Sequence, residues 1–110
     1  LAALDRANLD IRVAVWAYLH EYPDWRLVLA SPRFDEGEPG DAFGLINNAL
    51  KAAGIPYERK PPIKILKMSD KTVRDMRKMY AKSKELEGRD IGYQSFGGRF
   101  IEEAIAYRIK

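Results

Sequence analysis

From Ile11 to Leu19 the chain alternates, with Ile11, Val13, Val15, Ala17 and Leu19 on one side of an extended backbone and Arg12, Ala14, Trp16 and Tyr18 on the other. A period of two, carried by β-branched and aromatic residues, predicts a strand. The second side is itself half apolar, which suits an interior position in a sheet. His20-Glu21-Tyr22-Pro23-Asp24 is a polar turn with proline as breaker, and Trp25 to Ala30 reads as a second strand closed by Ser31-Pro32. Two strands with so short a connection form an antiparallel hairpin, so the fold has to be built around a sheet.

The remaining elements follow from helical spacing and punctuation. Residues 33–41 form an acidic loop, and Asp41 is the expected N-cap of a helix running through Ala53. Phe43, Ile46, Ala49, Leu50 and Ala53 share one side of that helix, and Gly54 stands where a left-handed terminating residue belongs. Residues 57–62 suit a short edge strand ended by Pro61-Pro62, and residues 63–68 a better one. Ser69 or Asp70 caps a second helix, expected to reach about Glu87 with Gly88 as its stop. Its apolar stripe reads Val73, Met76, Met79, Tyr80 and Leu86. Residues 92–98 read as a loop whose glycines permit a tight turn, and Phe100 to Ile109 as a last strand with Ile101, Ile105, Tyr107 and Ile109 on one face. Leu1-Ala2-Ala3-Leu4, with no initiating methionine, reads as the tail of a helix already in progress, so the chain is expected to start inside a longer one. The expectation is a single α+β domain over residues 1–110: a mixed, largely antiparallel sheet in the order (α)ββαβαβ, with helices packed on it.

A chain of 110 residues fits one domain and buries enough surface to need no covalent or metal staple. It has no cysteine, which excludes disulfide frameworks, thiolate metal sites and cysteine nucleophiles. Its one histidine, His20, excludes a multi-histidine metal site within the chain. No apolar run approaches the roughly 18 residues needed to cross a bilayer, and no signal peptide is visible. A cytoplasmic protein with no membrane partner and no cofactor is expected.

The formal charge of +3 conceals a polarity. Residues 1–50 carry 4 basic and 8 acidic side chains, net −4, whereas residues 51–110 carry 15 basic and 8 acidic, net +7. Between residues 59 and 84 there are 10 cations against Asp70 and Asp75. On the second helix Lys71, Arg74, Lys78 and Lys82 lie opposite the apolar stripe. Such a row suits an anionic partner, with nucleic acid as the leading candidate and an acidic protein surface as the second. Arg99, beside Gly97-Gly98, is a further candidate anion contact. A non-enzymatic binding module is the expected function.

Two other classes come from different residues. Asp35 followed by Glu58-Arg59-Lys60 resembles the loose Asp…(Asp/Glu)-x-Lys signature of the restriction-endonuclease-like nucleases. That resemblance covers three residues and implies that Asp35 and Glu58 hold a magnesium ion while Lys60 assists the attacking water. Trp16, Tyr18 and Trp25 suggest instead a sheet face that recruits a second subunit, making a homo-oligomeric assembly domain. The acidic loop 35–41 lacks the ligand alternation of a calcium loop, so no metal site is expected there. His20 has no nucleophile motif beside it, and Glu102 and Glu103, on one strand, are expected to face opposite ways. No catalytic set is assembled from these residues.

Overall fold

The computed structural model describes residues 1–110, the side chain of Pro39 excepted. Helix α1 (Ala2–Arg6) precedes a hairpin of β1 (Val13–Leu19) and β2 (Asp24–Ala30). Helix α2 (Pro39–Ala52), a single 3₁₀ turn (Tyr57–Arg59) and β3 (Ile63–Ile65) follow. Helix α3 (Lys71–Tyr80) leads to four further strands: β4 (Arg89–Asp90), β5 (Gln94–Phe96), β6 (Arg99–Ile101) and β7 (Ala104–Ile109). The main sheet has the order β3-β2-β1-β7-β4, and β5 and β6 form a separate two-stranded hairpin. All pairings in the main sheet are antiparallel except β2 with β3, which α2 connects as a crossover. This is a mixed, largely antiparallel α+β fold, and β1 lies inside the sheet as its two apolar faces require.

The alternation along β1 divides the interior in two. Val13, Val15, Ala17 and Leu19 join Val28, Ala30, Ala104, Ala106 and Ile109 on the face covered by Val73 and Met76 of α3 and by Phe96 and Ile101 of the β5–β6 hairpin. Ala14 and Leu29 join Ile63 on the other face, under Leu4 and under Ala42, Ile46 and Ala49 of α2. Burying each large apolar side chain contributes about 1.5–3 kcal/mol, so both layers are needed to hold the sheet. Ile11 precedes the strand and packs in the second core, not in the row of Val13 as the alternation suggests.

Several elements differ from the sequence expectation, some through local capping and some through tertiary packing. Helix α2 begins at Pro39 with Glu38 as N-cap; Asp41 is the third helical residue, and its carboxylate accepts the Glu38 N–H at 3.0 Å in a reciprocal capping box. Residues 57–59 form a 3₁₀ turn instead of an edge strand. Helix α3 stops at Tyr80, well short of Glu87. On a continued helix Leu86 would stand about 140° around from Val73, whereas leaving the helix lets it reach the same buried cluster as Val73. Met79 is exposed for the same reason of phase. The expected strand 100–109 is broken at Glu102-Glu103, where a bend makes Ile101, Ala104, Ala106 and Ile109 the buried set and leaves both glutamates exposed. A bulge in the β1–β7 pairing lets Tyr107 face outward while Arg108 and Ile109 return to their rows.

Candidate functional site

Helix α3 starts where the Asp70 side chain accepts the Thr72 N–H at 2.8 Å, a cap that satisfies one of the unpaired donors of the first turn. Thr72, Val73 and Met76 are buried against the sheet. The 3.6-residue repeat therefore turns Lys71, Arg74 and Lys78 to solvent in one row, about 10 Å long at 1.5 Å per residue. Lys82 continues beyond the helix end and is also exposed. Among the described residues none of these four cations is in an ion pair. Lys71 stands at the first helical position with no acidic residue in the first turn, where the helix dipole disfavours a cation. Its charge does nothing for the helix itself.

The Gly97-Gly98 turn of the β5–β6 hairpin rests on this helix. Gly97 has φ +59, and a Cβ there would stand 2.4 Å from the carbonyl carbon of Lys71, so only glycine allows so close an approach. Its N–H donates to the Asp75 carboxylate at 2.6 Å, and Thr72 Oγ1 donates to the Phe96 carbonyl at 3.3 Å. The result is an open hollow of about 410 Å³ lined by Lys71, Arg74, Asp75, Lys78 and Gly97. Asp75 is the acidic member of this lining, and one of its oxygens is already engaged by the hairpin.

Arg99 does not line that hollow. It crosses to Glu21 at 2.8 Å, joining the hairpin to the β1–β2 turn. Next to Glu21, Tyr22 gathers two more cations: the Arg26 guanidinium lies 4.1 Å from its ring centroid, and Lys64 Nζ donates to its hydroxyl at 2.8 Å. Arg26 Nε is buried and, among the described residues, has no hydrogen-bond partner. Sequence reasoning missed this group. The available signal was register, since Arg26 shares the inward-facing row of Val28 and Ala30.

Among the described residues the acidic loop forms no ion pair with the basic row. Asp35 accepts the Met68 N–H at 3.2 Å, Asp41 closes the capping box, and Glu36 approaches Arg33 at 3.8 Å. Two of the three nuclease-like residues are engaged by other groups. Asp35 is on Met68, Glu58 is in the 3₁₀ turn, and Lys60 Nζ donates to Asn47 Oδ1 at 2.9 Å beside the rings of Phe43 and Tyr57. His20 Nε2 lies 3.4 Å from Glu102. Trp16 and Trp25 stack on one another at 5.8 Å, with Tyr18 edge-on to Trp25, on a half-buried part of the sheet.

Two exposed aromatic residues complete the surface of the hairpin. Tyr93 is 78% exposed and Phe100 48% exposed, their rings 5.4 Å apart and nearly perpendicular. Tyr80, on the helix, is half-buried and accepts a hydrogen bond from Gln94 Nε2 at 2.8 Å. Comparison with protein-family models, with curated proteins and with solved structures finds no match to this chain.

Proposed function

We propose that the protein is a binding module that takes a polyanion, nucleic acid in the first place, on the exposed face of α3. The observation that carries this reading is the row Lys71, Arg74 and Lys78, solvent-facing, unpaired among the described residues and gathered around one hollow with Gly97. Neutralising phosphates with such a row releases condensed counterions, which is the main source of sequence-independent affinity. A nucleic-acid strand presents several phosphates over the length of the row, so a linear ligand fits better than a single small anion. Lys82 extends the row at the helix end, and Arg99 contributes only if it leaves Glu21.

The hairpin sets the shape of the site. Because Gly97 is fixed on the helix, the hollow has a backbone wall on one side and cations on the other.

Fluorescence anisotropy with a labelled oligonucleotide at low salt tests the reading. Binding is expected, and replacing Lys71, Arg74 and Lys78 together by alanine should remove most of it. An oligonucleotide that fails to bind at low salt overturns it, as does full binding by the triple variant. The same titration with polyglutamate separates an acidic protein partner from nucleic acid.

A further inference from the structure

We infer that the exposed Tyr93–Phe100 pair is a base-stacking platform, so that the nucleic acid taken by α3 is single-stranded; this rests on the reading of α3 given above. The hairpin spends its inner face on the core, where Phe96 and Ile101 are buried. Its outer face holds the cross-strand pair Ser95 and Phe100, and Tyr93 lies against Phe100 from the chain entering β5. These two rings add nothing to either core. Opposite small Ser95, Phe100 stays about half exposed beside Tyr93.

Tyr93 is also held in place. Its φ is +58, a conformation that costs a bulky aromatic residue free energy and persists only where the surroundings impose it. Those surroundings are visible. The Tyr93 N–H donates to the Glu102 carbonyl at 2.8 Å, and the Gly92 N–H donates to Asp90 Oδ1 at 2.9 Å. Gly92 presses so tightly on the Glu102–Ala104 backbone that a Cβ would stand 2.6 Å from the Glu102 carbonyl oxygen. A strained backbone thus presents an aromatic ring to solvent, next to a second exposed ring. Strain of this kind, maintained on a surface with no packing role, points to a ligand.

The platform is within reach of the cations. Phe100 is three residues from Gly97 across the hairpin turn, at most about 10 Å even for fully extended chain, and Gly97 lines the hollow with Lys71, Arg74 and Lys78. Cations that track phosphates beside aromatic rings that stack bases are what single strands require, and every base offers a π-face. A duplex hides those faces in its own stack. An acidic protein offers such faces only where it happens to carry aromatic side chains, not at every unit of its chain.

Anisotropy titrations of a labelled single strand and of the duplex of the same length, at one low salt concentration, decide the matter. The single strand should bind about tenfold more tightly than the duplex. Tyr93→Ala and Phe100→Ala should each weaken single-strand binding about five- to tenfold and leave duplex binding unchanged. Tyr93→Gly keeps the experiment independent of folding defects, because glycine relieves the positive φ: its fold should be retained in urea unfolding while single-strand affinity falls as for Tyr93→Ala. Equal affinity for the two forms, with Tyr93→Gly and Phe100→Ala binding normally, overturns the platform and leaves the α3 reading standing if the Lys71, Arg74 and Lys78 variant still loses binding. Absence of binding to either form overturns both.

Discussion

Gly97 donates its backbone N–H to the Asp75 carboxylate at 2.6 Å, and through that bond the β5–β6 hairpin is fixed to the exposed edge of α3. Gly97 and Asp75 come from regions with unrelated local signals, a glycine pair in a turn and an acid among lysines. Their meeting creates the hollow on which the proposed function depends.

Replacing Gly97 by alanine should therefore be costly. The new Cβ meets Lys71 backbone, which cannot swing aside, at a φ that alanine adopts poorly. A loss of about 2–4 kcal/mol is expected from overlap and left-handed strain together. Gly98, with φ +84 but open space around its Cβ position, should lose only about 1 kcal/mol on the same change. Urea unfolding of the two variants measures the difference.

Asp75→Asn should move stability and binding in opposite directions. The charge-assisted hydrogen bond to Gly97 becomes a neutral one, costing about 0.5–1.5 kcal/mol. The hollow meanwhile loses a negative charge that repels phosphates, so oligonucleotide affinity should rise a few-fold, matching the roughly 0.2–1 kcal/mol that a solvent-exposed charge interaction contributes. Unfolding and anisotropy on the same variant check both directions.

Acid should weaken the attachment of α1. Asp5 accepts two hydrogen bonds from Arg108, at 2.6 and 2.7 Å, and these, helped by the Arg108 charge and opposed by partial burial, hold its carboxyl below the ordinary range. A carboxyl whose folded pKa is lowered contributes stability that is complete above its unfolded pKa, near pH 4, and is lost as the pH falls through the folded value. The Asp5 side chain is 43% exposed, so the contribution is at most about 1 kcal/mol. Asp5→Asn should be less stable than the parent at pH 7, with the gap closing towards pH 2 in denaturant titrations.

The paired tryptophans give an optical signature. Trp16 and Trp25 are the two tryptophans of the chain and stack at 5.8 Å with an 18° angle between rings. Near-ultraviolet circular dichroism should show a coupled band that Trp25→Ala abolishes, with a stability loss of about 1–2 kcal/mol for the lost stacking and partial burial. A spectrum unchanged by the substitution would mean that the rings are not stacked in solution.

Where local pattern and tertiary demand agree, the elements were legible from residues alone. The alternation of β1 specified both cores, and the Asp70 cap with Val73 and Met76 oriented α3 so that Lys71, Arg74 and Lys78 had to face outward. The misreadings have two causes, a tertiary contact that outweighs periodicity and, at the start of α2, a local choice of cap. Leu86 leaves the helix to reach the core, Glu102-Glu103 bends what alternation reads as a continuous strand, and Asp41 serves as the third residue of a capping box because Glu38 can cap one turn earlier. Tyr93 and Phe100 were hidden for another reason: a single outward-facing residue on a short strand has no period, and no sequence pattern marks Tyr93 as holding a positive φ. Gly97 is likewise read as a turn residue, while its contact with Lys71 depends on the fold.

The salt dependence of single-strand binding, compared between the parent chain and the Lys71→Ala, Arg74→Ala, Lys78→Ala variant, tests the central claim most directly. If the three cations neutralise phosphates, the logarithm of the binding constant falls linearly with the logarithm of salt concentration. The variant's slope should then be shallower by about 2, the loss of three contacts at roughly 0.7 each. A slope the same in both proteins, or no binding by the parent chain at the lowest salt, would contradict the assignment of α3 as the anion-binding surface.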